Sequence, residues 1–154
     1  MKGALVPDSD HILRYVAPRH VDATEDGHLI VTGGGFTARP KDDNKPSCNW
    51  LECLPGLMEG QVEQIRRSAR IAYAARGKLV RLNVGKVRQL VEDNTNDHRA
   101  VTVIHDPLAA EGRWSADPSR ALMTNVPNEN DPEGELVGDL IRQCVLEIFP
   151  ARIP

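Results

Sequence analysis

Aromatic residues are scarce in this chain: two Trp, two Tyr and two Phe make up 4% of its 154 residues. A core assembled almost without rings has to come from Leu, Val, Ile and Ala. The same scarcity disfavours a single-strand nucleic-acid platform, which needs aromatic faces for bases to stack on. Cysteine is also rare. Cys48, Cys53 and Cys144 are an odd number without framework spacing, which excludes a disulfide-stapled scaffold. Cys48 and Cys53 stand at a spacing a metal site can use, but no second ligand pair lies nearby, so they read as free thiols, with no metal and no cofactor expected. Cys144 reads as a small apolar residue on a helical face.

No apolar run approaches the roughly 18 residues of a membrane span, so no membrane partner is expected. The opening residues, MKGALVPDSDH, hold one lysine and a short apolar run ended by Pro7. That is not a secretory pattern, and a cytoplasmic location is the expectation. Catalytic signatures are missing as well: there is no phosphate loop, no Gly-x-Ser-x-Gly elbow, no His-Glu-x-x-His pair and no calcium loop. Gly33-Gly34-Gly35 does not open a helix in the dinucleotide fashion and reads as a bulge or hairpin turn.

What is present is an ordinary globular balance, 40% hydrophobic and 27% charged, at a length typical of one domain over residues 1–154. The formal net charge is −3, unevenly spread. Residues 60–88 carry eight cations against Glu63 alone, so this segment is +7 and the remainder −10. Such asymmetry marks either a surface for nucleic acid or an acidic partner, or a segment balanced by acids elsewhere in the fold.

Hydrophobic periodicity divides the chain. Residues 10–16 and 27–32 read as strands, and 48–53 suits either a strand or a helix entry. From Leu57 the apolar residues Met58, Val62, Ile65, Ala69, Ala72 and Tyr73 recur at helical spacing, predicting a helix that ends near Gly77. A strand over 78–83, a short helix from Val84 and a strand over 100–105 follow. Residues 107–131 read as a long irregular section able to hold a functional loop. Asp131-Pro132 then predicts a helix start, and the stripe from Leu136 to Phe149 a long C-terminal helix stopped by Pro150. Strands first and helices interleaved later give an α+β class: a mixed, mostly antiparallel sheet with about three helices packed on it.

Candidate catalytic residues are His11, Arg14, Arg39 and His105. Histidine supplies a general acid or base, and arginine a grip on phosphate or carboxylate. In a regular strand residues three apart point to opposite faces, so His11 and Arg14 converge only if this segment is helical or distorted. His105, at a strand end beside Asp106, suits catalysis but equally a core-edge histidine. Candidate binding residues are Ser47, Asn49 and Trp50 in or beside a polar loop, and Arg66, Arg67 and Arg70 on one flank of the central helix. Loops favour sites, yet turn chemistry and a solvated helix flank explain the same residues.

HILRY (11–15), F-x-x-R-P (36–40), S-x-N-W-L-E (47–52) and L-N-V-G (82–85) together resemble a family of small bacterial proteins of uncharacterised function. The resemblance extends to VIHDP and to DPSRALMTNVPNEND, and implies a bacterial, cytoplasmic protein with no activity or cofactor to carry over. Three functions stay open: an accessory protein without catalytic activity that docks on a protein partner; a small enzyme acting on a nucleotide or nucleic acid through His11 or His105 and arginines; and a nucleic-acid-binding module using Arg66, Arg67, Arg70 and Arg81 within 60–88.

Overall fold

A computed structural model describes residues 2–153. Eight strands and three helices follow one another as β1 (His11–Val16), β2 (Val21–Ala23), β3 (Leu29–Val31), β4 (Ser47–Trp50), α1 (Met58–Ser68), β5 (Lys78–Asn83), α2 (Val84–Asn94), β6 (Thr102–His105), β7 (Arg120–Thr124), α3 (Gly134–Arg142) and β8 (Val145–Pro150). Six of the strands form one sheet in the order β6-β7-β4-β1-β5-β8, and every pairing in it is antiparallel. Strands β2 and β3 make a separate hairpin. The α+β class stands, with helices on both faces of an antiparallel sheet.

Strand alternation gives each face its own core. Ile12, Val16, Val80, Leu82 and Met123 project to one side, where they meet Val84, Val87 and Val91 of α2 and Val137 and Ile141 of α3. Leu13 and Leu79 project to the other, against Val62 and Ile65 of α1. The cores are aliphatic, as the scarcity of rings requires; among the described residues Phe36 is the one fully buried Phe, Tyr or Trp.

The structure departs from the sequence reading in four places. The C-terminal segment is not one long helix: α3 has 9 residues, and Val145–Pro150 is a strand paired to β5. Its run of Val, Ile and Phe suits either period, and the free edge of β5 supplies a hydrogen-bonding partner that local pattern does not reveal. Helix α1 stops at Ser68, because Ala69 turns to extended backbone (φ −60°, ψ 129°) and the chain leaves toward Arg70 and Tyr73. The section 107–131 contains β7, whose alternating burial places Ala121 and Met123 in the core. The three glycines form one 3₁₀ turn, Gly33–Phe36, packed against α3. A Cβ on Gly138 would stand 2.5 Å from the Gly33 carbonyl oxygen, so both positions exclude side chains for the two backbones to touch.

Candidate functional site: a cationic cleft where the sheet divides

Strand β1 pairs with β5 along its whole length, from His11↔Asn83 to Val16↔Lys78. Against β4 it pairs only at Ile12↔Trp50 and Leu13↔Asn49. Beyond Leu13 the two strands part, and a cleft of about 360 Å³ occupies the gap. Arg14 is the first residue past the fork. Its Nη1 donates to the Ser47 carbonyl oxygen at 2.7 Å and its Nε to that of Gly35 at 3.4 Å. The guanidinium thus takes up backbone carbonyls at the point where the ladder ends, and no carboxylate forms an ion pair with it among the described residues. Burial depresses its pKa, because desolvation penalises the charged form more than the distant Asp42 supports it.

Four more arginines line the cleft: Arg19, Arg39, Arg70 and Arg120. Arg39 is tied to Asp42, with Nε to Oδ2 at 3.2 Å; burial pushes the Asp42 carboxyl up, but the bonds from Arg39 prevail and hold it below its usual range. Arg120 pairs with Asp106. Arg70 reaches across to the carbonyls of Ala109 and Ser115, and its Nε is buried without an acceptor. Arg19 has no carboxylate partner among the described residues and instead donates from Nε to His20 Nε2 at 3.1 Å. A neutral imidazole accepting at Nε2 carries its proton on Nδ1. Burial lowers the His20 pKa first, and the charges of Arg19 and Arg14 lower it further. Gly34 seats the ring: a Cβ there would lie 2.7 Å from His20 Cε1.

Glu129 also lines the cleft, its charge partly opposing the lowering of the His20 pKa, and the remaining walls are apolar on one side and polar on the other. Tyr73, Ile71 and Leu108 form an apolar side, with Tyr73 stacked on Tyr15 at 4.5 Å between centroids. Burial raises the Tyr73 phenol to about 12, so it stays a neutral donor. Asn49 and Asp117 form a polar side. Cys48 also lines the cleft, but burial lifts its thiol to about 12, which leaves no thiolate for nucleophilic work near neutral pH.

Of the ten residues singled out in the sequence, Arg14, Arg39, Ser47, Asn49 and Arg70 meet in this cleft. His11 lies elsewhere, bonded to Glu52 at 2.6 Å. His105 and Trp50 pack edge to face at 5.1 Å; His105 Nε2 bonds the Pro118 carbonyl at 2.6 Å, and Trp50 Nε1 donates to Asp10 at 2.9 Å. Arg66 and Arg67 lie on α1 and both pair with Glu63. Cys53 bonds the Pro118 carbonyl at 3.3 Å, and its pKa too is raised by burial. Sequence reasoning missed Arg19, His20, Tyr73, Asp117 and Arg120. The only local sign was a Pro-Arg-His loop after β1, and Tyr73 was hidden inside an apparent helical stripe.

A second groove runs between the hairpin and the open edge of β8, where Leu29, Ile30 and Leu146 are exposed. It holds no buried polar atom lacking a partner among the described residues, whereas the cleft does. No helix among those residues is long and apolar enough to cross a membrane. No family model matches the chain, and neither a curated protein nor a solved structure matches it. The geometry of the cleft therefore carries the functional reading.

Proposed function

We propose that this protein binds a small phosphorylated molecule in the cleft between β1 and β4, with Arg14 as the anchor of its anionic group. The observation that carries this reading is a half-buried guanidinium on the cleft wall that no carboxylate pairs with among the described residues. Even partial desolvation of a charge without a counter-charge carries a cost, which a bound anion removes. Two carbonyls orient the guanidinium but do not neutralise it, and its Nη2 donors have no protein acceptor among the described residues. An anion supplies both the charge and the acceptors, and arginine's planar fork matches two phosphate oxygens.

Arg19 and His20 extend the same grip. Arg19 brings a second unpaired cation, and His20 brings a neutral ring without the cost of holding two adjacent positive charges. Of the three functions open from the sequence, this stands nearest the nucleotide-directed one, with Arg19 and His20 in the place given to His11 and His105.

Titration calorimetry with pyrophosphate, at low and at physiological salt, tests the reading. Saturable one-to-one binding is expected, weakened about 100-fold or more by Arg14→Ala, since the loss of one bidentate charge-assisted contact has that order of effect. Equal binding by wild type and by a folded Arg14→Ala variant would sink the proposal.

A further inference from the structure

The cleft is not cationic throughout. The Asn49 side chain donates from Nδ2 to both carboxylate oxygens of Asp117 at 3.2 Å and to Ser119 Oγ at 2.9 Å. A carboxylate only accepts, which settles which edge of the amide faces it and leaves Oδ1 on the opposite edge. That oxygen receives no hydrogen bond from the protein among the described residues. Asp117 is 5% exposed, and no cation pairs with it there. Its Oδ1 accepts from Asn49, from the Ser119 backbone N–H at 3.3 Å and from the Ser119 hydroxyl at 3.1 Å, while Oδ2 accepts from Asn49 alone. Two neighbouring side chains on the cleft wall thus hold acceptor capacity that nothing in the protein uses.

An anionic group cannot satisfy them, because like charge and lone pairs repel it. They call for O–H or N–H donors, and acceptors on adjacent side chains suit adjacent hydroxyls. Resting on the anion reading of this site, we infer that the ligand is a phosphomonoester of a sugar carrying a vicinal diol, its phosphate on Arg14 and Arg19 and its hydroxyls on Asn49 and Asp117. A cavity of about 360 Å³ falls at the lower end of small-molecule sites and suits one such unit, not a polymer. Sugar phosphates and ribonucleoside monophosphates share this chemistry. They differ in whether a base lies along the apolar side made by Ile71, Tyr73 and Leu108.

Calorimetry on the full chain separates these cases, using inorganic phosphate, ribose 5-phosphate, the four ribonucleoside 5′-monophosphates and their 2′-deoxy and 3′-deoxy forms. A ribose ester is expected to bind at least about 10-fold tighter than inorganic phosphate, and removal of one hydroxyl to cost about 10-fold, the order of a hydrogen bond to a charged acceptor. In Asp117→Asn, with folding checked by circular dichroism, the deoxy penalty shrinks to about twofold; should that variant not fold, the deoxy series on wild type decides. A nucleotide binding tighter than ribose 5-phosphate assigns the apolar wall to a base, and equal binding assigns the site to sugar phosphates. If esters bind no better than inorganic phosphate while phosphate still depends on Arg14, the diol inference fails and the anion site stands. If neither phosphate nor any ester binds, both fall.

Discussion

Two groups of arginines behave in opposite ways in this molecule. Residues 60–88 form the conspicuous basic segment of the chain, yet the fold balances much of that charge: Arg66 and Arg67 share Glu63, Arg81 meets Glu147 at 2.5 Å, and Arg88 is held between Asp8 at 2.7 Å and Glu92 at 3.3 Å. The Asp8 carboxyl is pulled below its usual range chiefly by its bond from Arg88. The cleft arginines are scattered through the sequence at positions 14, 19, 39, 70 and 120, Arg70 alone coming from the basic segment, and two of them, Arg14 and Arg19, have no carboxylate partner among the described residues. Charge density along a chain is a property of one dimension. Affinity for an anion depends on uncompensated charge within a few ångströms in three dimensions, and there the scattered group prevails.

The sharpest break between the two groups comes from paired double variants. Arg14→Ala with Arg19→Ala should weaken pyrophosphate binding by about 1000-fold, since a bidentate contact and a second charge-assisted contact go together. Arg66→Ala with Arg67→Ala should change it by no more than about twofold, since those cations are engaged and exposed ones are screened within a Debye length. Isothermal titration of wild type and the two double variants reads both, and a larger effect from the α1 pair would reverse the comparison.

A smaller effect is expected from Gly34→Ala. The added methyl meets the His20 ring and moves it, so affinity should fall about 10-fold, the order of one lost hydrogen bond to charge, while Arg14 stays in place. Binding equal to that of wild type would remove His20 from the site.

The mildest test is pH. His20 titrates below 6.5 in the free protein, because burial and then the two neighbouring arginines disfavour its charged form. A bound anion favours that form and raises the pKa, so binding takes up protons, and affinity increases as pH falls through the window around and below 6.5. With sulfate, whose charge is constant in this range, the gain from pH 7.5 to 5.5 should be about 3- to 10-fold, as for a shift of up to one pKa unit. His20→Gln should flatten the profile; an unchanged slope in that variant would place the titration elsewhere.

Much of the fold was legible because local period and local structure agree. The run KLVRLN alternates and is β5, and VGKVRQLVE has an apolar side and opens α2, with Asn83 capping it by accepting from the Lys86 N–H at 2.8 Å. The C-terminal segment was illegible for the converse reason. Its residues fit two periods, and the edge of β5 selects the strand. The cleft was half legible: Arg14, Arg39, Ser47 and Asn49 were visible as polar residues of the right chemistry at loop or strand positions, and Arg70 on the flank of the expected central helix. Arg19, His20 and Asp117 were not, because nothing in a sequence marks a side chain as unpaired or an acceptor as unused.

By itself the sequence determined the class of this protein: an aliphatic α+β chain without disulfide scaffold or familiar catalytic motif. Composition and local period act through the nearest few residues and survive any arrangement of the elements. Only the tertiary structure decided where chemistry can occur. Strand β1 follows β5 to its end but leaves β4 after two pairs, and that parting leaves Arg14 half-buried without an ion-pair partner among the described residues while bringing Asp117 within reach of Asn49, 68 residues earlier in the chain. Whether a charge is paired or a lone pair is used depends on contacts between distant segments, and those exist only once the sheet has formed.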